Sequence, residues 1–320
     1  MKVLFAGSPA IAVPSLETIF KTGGIELIGV LTNPDTPKGR HGTPVPTEVG
    51  EAARKLGLSS ILKPLKLDAA AREQVSALKP DLLISFAYGR IFGPKFLDLF
   101  PLGGINIHPS LLPKYRGPSP IQAAILNRES ETGISIQTLA REMDCGDILA
   151  VEKFQLTGRE TAASLGETVS EKAARMLENV LLKIVRNQNT CRLPEGNPQN
   201  HDLATYCSLI SKDEGIIDWT QNAQKIEAKI RAFEPWPLCR TIHNGRELFI
   251  LEAEVYNDDF VSKGTPGTVL DNPNGHKNGI LIQTGDGILS VIKLQYQGKK
   301  ALFWRDFLNG ARNFYGSQLS

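Results

Sequence analysis

The chain has 320 residues, of which 41% are hydrophobic and 22% are charged, and its formal net charge at pH 7 is +2. These values are typical of a soluble globular protein with room for two domains, and the near-neutral charge gives no argument for nucleic acid as a partner. The sequence contains no run of about 18 apolar residues, which excludes a predicted membrane-spanning helix.

The first half of the sequence alternates strand-like and helix-like segments. It opens with the apolar run Met1–Gly7, which is too short for a secretory signal and is predicted to be a strand of a cytoplasmic protein. The other predicted elements of this half are strands over 25–32, 81–89, 104–108 and 133–139, and helices over 14–20, 45–58, 117–127 and 161–185. Strands that alternate with helices predict a parallel sheet covered on both faces.

The pattern changes after residue 184. A polar stretch with proline and glycine over 188–205 is typical of a linker. The following segments are predicted as one helix over 220–233 and strands over 239–245, 246–255, 267–272, 279–287 and 288–295. Short strands separated by N-G, P-N-G and G-D-G turns favour a small antiparallel barrel.

The strongest chemical signal lies at the end of the predicted strand over 104–108. Asn106 and His108 are two residues apart, and residues with this spacing on a strand project from the same face. We expect both at the carboxyl edge of the sheet, where open α/β folds bind ligands. An asparagine amide can donate to a developing oxyanion, and a histidine can move a proton at neutral pH.

A catalytic histidine usually needs a partner that orients it, and the best candidates lie in REMDCGDIL. This stretch places Asp144 and Asp147 around a predicted turn. An amide, an imidazole and a carboxylate without a suitable serine or cysteine nucleophile suggest acyl transfer by direct attack of the acceptor. Other interpretations stay open at this point, since a histidine at a strand end is often structural and MDCGD is also a plausible tight turn.

Metal, dinucleotide and thiol sites find little support in the sequence. No C-x-x-C pair occurs among the cysteines, so we predict reduced thiols and no metal site. The four cysteines are Cys145, Cys191, Cys207 and Cys239. The carboxylates of MDCGD lack the ligand pattern of a calcium loop, and FAGSP does not match the G-x-G-x-x-G motif of dinucleotide-binding folds. Cys145 has no evident activating partner.

Two stretches resemble the formyltransferases that use 10-formyltetrahydrofolate. They are NIHPSLLPKYRGPSPIQ and ETGISIQTLAREMDCGDIL. In that family the Asn, the His and the Asp of the D-x-G-D element form the catalytic set, which the resemblance places at Asn106, His108 and Asp144. The family's folate-binding loop corresponds to the element SLLP, which implies a folate site at Ser110, Leu111, Leu112 and Pro113.

Longer stretches resemble the branch of this family that acts on methionyl-tRNA. They include FAGSPAIAVPSLETI, TNPDTPKGR, YCSLISKDEGIIDW and TGDGILSVIKLQYQGKKAL. The resemblance implies a Rossmann-like α/β catalytic domain over 1–187, the linker over 188–205 and a smaller OB-like β-barrel over 206–320 that binds tRNA. It also implies 10-formyltetrahydrofolate as formyl donor and initiator methionyl-tRNA as acceptor. We expect a monomer.

One loop departs from this resemblance. Relatives carry a lysine-rich stretch after the Gly-Arg step near position 40 and use the loop on the tRNA acceptor arm. Here the loop reads PKGRHGTPVP, which keeps Arg40, with Lys38 and His41 nearby, but lacks the lysine pair. The expectation is a tRNA contact at Arg40, and the alternative is a solvated loop.

Two other functions fit parts of the sequence. A formyltransferase acting on glycinamide ribonucleotide or on an amino-sugar nucleotide would use the same catalytic residues. The first of these enzymes would not need residues 206–320, and the second is usually fused to a dehydrogenase that is absent here. A noncatalytic RNA-binding protein with the same fold is the other alternative, and the intact Asn-His-Asp set argues against it.

Overall fold

The computed structural model describes residues 1–37, 42–186, 193–257, 264–271, 279–311 and 313–320. The chain forms two compact units. The first contains Met1–Pro120, Glu131–Gln155 and Gly166–Ser208, and the second contains Ile121–Ser130, Leu156–Leu165 and Leu209–Ser320. Within the described ranges, none of the helices combines the length and the apolar character that crossing a membrane requires.

In the described part of the first 186 residues the chain forms fifteen α-helices and β-strands. They are β1 (Lys2–Ala6), α1 (Val13–Lys21), β2 (Glu26–Leu31), β3 (Thr36–Pro37), β4 (Pro44–Val45), α2 (Glu48–Lys55), β5 (Ile61–Leu62), α3 (Ala69–Ala77), β6 (Leu82–Phe86), α4 (Pro94–Leu97), β7 (Gly104–His108), α5 (Pro120–Leu126), β8 (Glu131–Thr138), β9 (Ile148–Gln155) and α6 (Ala162–Arg186).

Seven of these strands form the sheet of the first unit, in the order β5-β2-β1-β6-β7-β8-β9. The pairs from β5 to β7 are parallel, and the β7–β8 and β8–β9 pairs are antiparallel. The central strands β1 and β6 consist mainly of apolar residues, as expected for parallel strands buried on both faces, and every residue of β6 is buried. This mostly parallel, Rossmann-like sheet confirms the predicted α/β class.

Helix α6 shows how the apolar stripe predicted from the sequence is used. The five residues of the stripe are all buried, with 1 to 7% of their surface exposed, which confirms the predicted face. They are Leu165, Val169, Met176, Val180 and Ile184. By contrast, the sequence patterns did not reveal β9, because none of its residues is fully buried and exposed residues alternate along its second half.

The second unit is built on an antiparallel sheet. Its elements after residue 208 are α7 (Ala223–Ala232), β10 (Cys239–His243), β11 (Arg246–Tyr256), β12 (Ile280–Gln283), β13 (Ile288–Tyr296), β14 (Leu302–Phe303) and α8 (Trp304–Gly310). The strand order is β10-β11-β13-β12, and β14 pairs with β13. The sheet curls into a half-barrel, which confirms the OB-like prediction.

One predicted strand of the second unit does not form as a continuous element. In the segment predicted as a strand over 267–272, Thr268 and Val269 make isolated bridges to Gln318 and Ile282. Gly267 has φ +90°, so the chain turns immediately before these residues instead of entering the segment as extended backbone.

Candidate active site

Strands β7 and β8 bring four polar side chains to one face of the sheet. Asn106 and His108 lie at the carboxyl end of β7, where the i, i+2 spacing predicted them. In the antiparallel pairing of β7 with β8, Asn106 lies opposite Gln137 and His108 lies opposite Ser135. Directly opposed residues project to the same side of a sheet, so β8 contributes side chains to the same site.

Asp144 reaches this site from the turn between β8 and β9. Its backbone adopts φ +56°, a left-handed conformation that aspartate tolerates better than most residues. Its Oδ1 accepts a hydrogen bond from Gln137 Nε2 at 2.9 Å and one from Asn106 Nδ2 at 3.5 Å, and its Oδ2 accepts from the Gly117 backbone N–H at 2.8 Å. Together these three donors fix the position of the carboxylate in the site.

The turn that carries Asp144 requires a glycine two residues later. A Cβ at Gly146 would overlap the carbonyl oxygen of Thr138, so only glycine allows the backbone to approach so closely. The turn is closed by two bonds between Thr138 and Asp147, from the Thr138 N–H to the Asp147 carbonyl and from the Asp147 N–H to Thr138 Oγ1, each 2.9 Å long. Asp147 therefore acts through its backbone, and its exposed side chain does not join the site.

The hydrogen bonds of His108 determine its tautomer. Its Nε2 lies 2.8 Å from the carbonyl oxygen of Tyr115, and because a carbonyl can only accept, Nε2 carries the proton. In the neutral ring the lone pair is then on Nδ1, which lies 3.6 Å from Asp144 Oδ1. The imidazole is thus oriented to accept a proton next to a carboxylate.

Burial controls the charge of this imidazole. Only 4% of the His108 surface is exposed. Loss of solvation lowers the pKa of His108 below its ordinary value, although the Asp144 carboxylate and the hydrogen bond to Tyr115 act in the opposite direction. The resting form is therefore the neutral base, and the adjacent carboxylate stabilises the imidazolium when a proton arrives.

The lowered pKa of His108 predicts a pH dependence of stability. In the unfolded chain this histidine regains its ordinary pKa of about 6.5, so between that pH and the lower folded pKa the unfolded state binds more protons. The free energy of unfolding should therefore fall as the pH is lowered through this window. We expect His108→Gln to lose less stability than the wild type between about pH 7 and pH 5 in urea titrations.

His243 provides a common background for this comparison, because burial also lowers its pKa and it is present in both proteins. Parallel stability curves for the wild type and His108→Gln would contradict a buried, neutral His108.

The loop after β7 is held by a hydrogen bond within the loop and by hydrogen bonds to Ser135 of β8. Ser110 is fully buried, and its hydroxyl donates to the Lys114 carbonyl at 2.6 Å. Ser135 Oγ donates to the Ser110 carbonyl at 2.8 Å and accepts from the Leu112 N–H at 3.1 Å. Leu111 packs so closely on Gly133 that a Cβ there would overlap it. The loop is therefore held against β8, and Leu111, Leu112 and Pro113 stay partly exposed.

Two buried residues join the site that sequence patterns did not indicate. Gln199 donates from Nε2 to the carbonyl oxygens of Asp144 at 2.9 Å and Gly146 at 2.7 Å. Its Oε1 accepts from Arg116 Nη2 at 2.7 Å and Nε at 3.2 Å. Gln199 lies in a polar segment whose sequence is typical of a linker. Its side-chain contacts are with residues more than 50 positions earlier in the chain, and no local sequence pattern predicts such contacts.

The remaining candidates do not join this cluster. Burial raises the pKa of the Cys145 thiol, which argues against a thiolate nucleophile there. Arg40, Lys38 and His41 lie outside the described residues, so the predicted tRNA contact at Arg40 stays a prediction.

Comparisons with known proteins agree with this architecture. The formyl transferase family model matches residues 1–181, and the model of the formyl transferase C-terminal domain matches residues 209–312. Methionyl-tRNA formyltransferase of Treponema denticola is 46% identical over 98% of both chains. The enzyme of the same name from Borreliella burgdorferi is 38% identical and covers 100% of this chain and 99% of its own.

Solved structures share the fold at lower identity. HypX from Aquifex aeolicus in complex with tetrahydrofolic acid is 18% identical, with a TM-score of 0.62 over 98% of this chain and 48% of its own. An N-formyltransferase from Helicobacter canadensis, solved with folinic acid and dTDP-3-aminofucose, is 22% identical, with a TM-score of 0.64 over 91% of this chain and 99% of its own. From the family models and the full-length relatives together, the chain belongs to the formyl transferase family, in the group of the methionyl-tRNA formyltransferases.

Proposed function

We propose that this protein transfers the formyl group of 10-formyltetrahydrofolate to the α-amino group of initiator methionyl-tRNA, with Asn106, His108 and Asp144 as its catalytic residues. The observation that carries the assignment of these residues is their convergence on one atom. Asp144 Oδ1 lies 3.5 Å from Asn106 Nδ2 and 3.6 Å from His108 Nδ1, and strand β7 carries both of these side chains. The relatives named above are the support for the acceptor.

The first step of this reaction is attack by the acceptor. The free amine forms a bond to the formyl carbon, and the carbonyl oxygen becomes an oxyanion. Asn106 Nδ2 has a second N–H besides the one directed at Asp144, and it donates to that oxyanion. Binding the amine and the formyl carbon side by side supplies the proximity that replaces a covalent intermediate on the protein.

The second step moves one proton and breaks one bond. The attacking nitrogen carries a proton that it must lose, and His108 Nδ1 accepts it because Nε2 is already occupied by the Tyr115 carbonyl. Asp144 stabilises the imidazolium so formed. The proton then passes to N10 of the folate as the bond between N10 and the formyl carbon breaks, so tetrahydrofolate and formylmethionyl-tRNA leave with His108 neutral again.

We infer different roles in a folate site for the residues of one loop, which are Ser110, Leu111, Leu112 and Pro113. Ser110 is fully buried and its hydroxyl is used within the loop, so it would act by shaping the loop instead of touching the ligand. The exposed parts of Leu111, Leu112 and Pro113 present apolar surface next to His108, which suits the flat ring system of a folate.

The test of this function is a formylation assay with competing acceptors. The purified chain would be incubated with 10-formyltetrahydrofolate and, in separate reactions, initiator methionyl-tRNA, elongator methionyl-tRNA, glycinamide ribonucleotide and a dTDP-linked amino sugar. We expect formylmethionine to form on the initiator tRNA, to require the folate and to be lost in Asp144→Asn. Formylation of the sugar or of the ribonucleotide in its place would refute the proposal.

We also propose the division of labour between the predicted domains. Residues 1–187 hold every proposed chemical group, and residues 206–320 form the OB-like part, a fold class often used to bind nucleic acids. The loop of Arg40 would add a contact to the tRNA backbone. The monomeric state and the cytoplasmic location stay predictions from the sequence.

Arg40→Ala tests the tRNA contact. We expect KM for methionyl-tRNA to rise by about threefold to tenfold, and the slope of log affinity against log salt to decrease by about one unit, because one phosphate contact releases roughly one counterion. KM for 10-formyltetrahydrofolate should not change. Lys38→Ala in the same loop is the matched control. If Arg40→Ala shows the wild-type tRNA KM and salt slope, the loop is solvated and makes no contact.

A further inference from the structure

A chain of buried amides runs from Arg116 to the catalytic carboxylate. Arg116 donates to Gln199, Gln199 donates to Gln137, and Gln137 donates to Asp144. The three distances are 2.7 Å, 3.1 Å and 2.9 Å. Arg116, Gln199 and Gln137 expose 1%, 7% and 2% of their surface, so the surrounding protein, more than bulk water, determines how these amides are oriented.

Arg116 sets the direction of the hydrogen bonds that lead from it to Asp144. A guanidinium has only donors, so the oxygen of Gln199 must face Arg116, and its NH₂ group must face the other way. The two hydrogens of that NH₂ group lie within reach of three acceptors, the carbonyl oxygens of Asp144 and Gly146 and the side-chain oxygen of Gln137, so one N–H is shared between two acceptors.

The side-chain amide of Gln137 is oriented by the contacts of both its oxygen and its NH₂ group. Its oxygen accepts from Gln199 at 3.1 Å and from the Gly146 N–H at 3.2 Å, so its NH₂ group points at Asp144 Oδ1. The same amide in the reverse orientation would place an oxygen against the carboxylate, which is a repulsive contact.

The backbone around Gln199 is paired with the active-site loops on both sides. Asn197 exchanges two backbone hydrogen bonds of 2.9 Å with Ile148, which follows the Asp144 turn. Further along, the Arg116 N–H donates to the Thr205 carbonyl at 2.9 Å, and the Cys207 N–H donates to the Arg116 carbonyl at 2.8 Å. The segment 197–207 is thus built onto the two loops that supply Asp144 and the hydrogen-bond partner of His108.

We propose that Gln199 is a positioning residue of the formyl transfer, and that it acts by fixing the Asp144 turn and the amide direction of Gln137. This inference rests on the function proposed above. It gives a positioning role to a residue from the segment between the two regions that the family models match, the first of which ends at residue 181 and the second of which begins at residue 209. In this role Gln199 makes no contact with the substrates. It determines the position of the Asp144 carboxylate and which atom of Gln137 faces that carboxylate.

Gln199→Glu is the variant that reverses the direction of these hydrogen bonds with the smallest change in side-chain shape. A glutamate still accepts from Arg116, now as an ion pair, so the fold should be kept. It has no NH₂ group, so its second oxygen faces the carbonyl oxygens of Asp144 and Gly146. Gln137 would turn to donate to the glutamate and would present its oxygen to Asp144.

The expected result is a loss of turnover with little loss of binding. For Gln199→Glu, kcat should fall about 10-fold to 100-fold, the range for removing a group that orients a functional ligand, while KM for both substrates should stay within about twofold. Gln74→Glu makes the same change on an exposed position of α3 and should behave as the wild type. Thermal unfolding of each variant checks that the chain is folded.

A double variant separates positioning from a general structural role. In an Asp144→Asn background the carboxylate is already gone, so adding Gln199→Glu should lower single-turnover formyl transfer by less than about threefold. If the second substitution costs as much there as in the wild type, or if Gln199→Glu alone has the wild-type kcat, the inference is wrong. Should Gln199→Glu fail to fold, Gln199→Met removes the same bonds without a buried charge and is judged by the same two criteria.

A measurement independent of activity distinguishes this inference from the proposed function. In the folded wild type, the side-chain NH₂ signals of Gln137 should be protected from hydrogen exchange, and Gln199→Glu should shift these signals. Unprotected Gln137 signals would overturn the inference even in an active enzyme. A wild type that shows protected signals but no transfer to methionyl-tRNA would contradict the proposed function and leave the amide chain established.

Discussion

His108→Ala is expected to lower kcat for formylation of methionyl-tRNA by about 100-fold or more, the scale of losing a positioned proton carrier or a preorganised donor. The reason is that Nδ1 is the only ring nitrogen free to take the proton of the attacking amine, since Nε2 donates to Tyr115. KM for the folate should change much less, because the predicted folate contacts come from the following loop. Steady-state kinetics with each substrate varied in turn would measure both effects.

Three further variants make this result interpretable. His108→Gln can keep a donor to the Tyr115 carbonyl but cannot accept and release a proton, so its kcat should be as low as that of His108→Ala. Asn106→Ala and Asp144→Ala should each cost a similar factor, and combining either with His108→Ala should add little, since residues that act as a unit are not additive. Near-normal turnover in His108→Gln would show that the ring has only a structural role.

Gly146→Ala should have the second large effect, although Gly146 has no side chain. An added Cβ would overlap the Thr138 carbonyl oxygen, and because the obstacle is backbone, the turn itself must move. That turn carries Asp144, and a displacement of about 1 Å in a catalytic group can cost roughly 100-fold in rate. We expect a comparable loss of kcat, together with a lower Tm from the broken turn.

Gly23→Ala provides the control for this prediction, because a Cβ at Gly23 has no neighbour within 4 Å. Its kcat and Tm should match those of the wild type. If Gly146→Ala were fully active, the position of the Asp144 turn would not matter to the reaction, and the role of Asp144 itself would need revision. A loss of Tm with full activity in the surviving folded protein would have the same meaning.

The elements of the first half of the chain differ in whether the sequence revealed them. The parallel sheet was predictable because buried strands such as β6 consist mainly of apolar residues, and because the apolar positions of α6 recur with the helical period. Edge strand β9 and the two-residue strand β5 were not predictable, since neither carries enough buried apolar residues to form a pattern. Their positions depend on pairing with strands far away in the sequence.

The residues of the candidate site also differ in whether the sequence revealed them. The sequence by itself determined that Asn106 and His108 share a face, because two-residue spacing on a strand leaves no other geometry. The family motif pointed to Asp144 but contains no information on its distance from them.

Only the tertiary structure decided which polar residues surround the carboxylate. Gln137 joins because the β7–β8 register places it opposite Asn106, and Gln199 joins because a segment with a linker-like sequence pairs with two loops. A glutamine in water and a glutamine buried between an arginine and a carboxylate look the same in a sequence. The direction of its amide, and therefore its effect on Asp144, exists only once the chain has folded and water has been excluded.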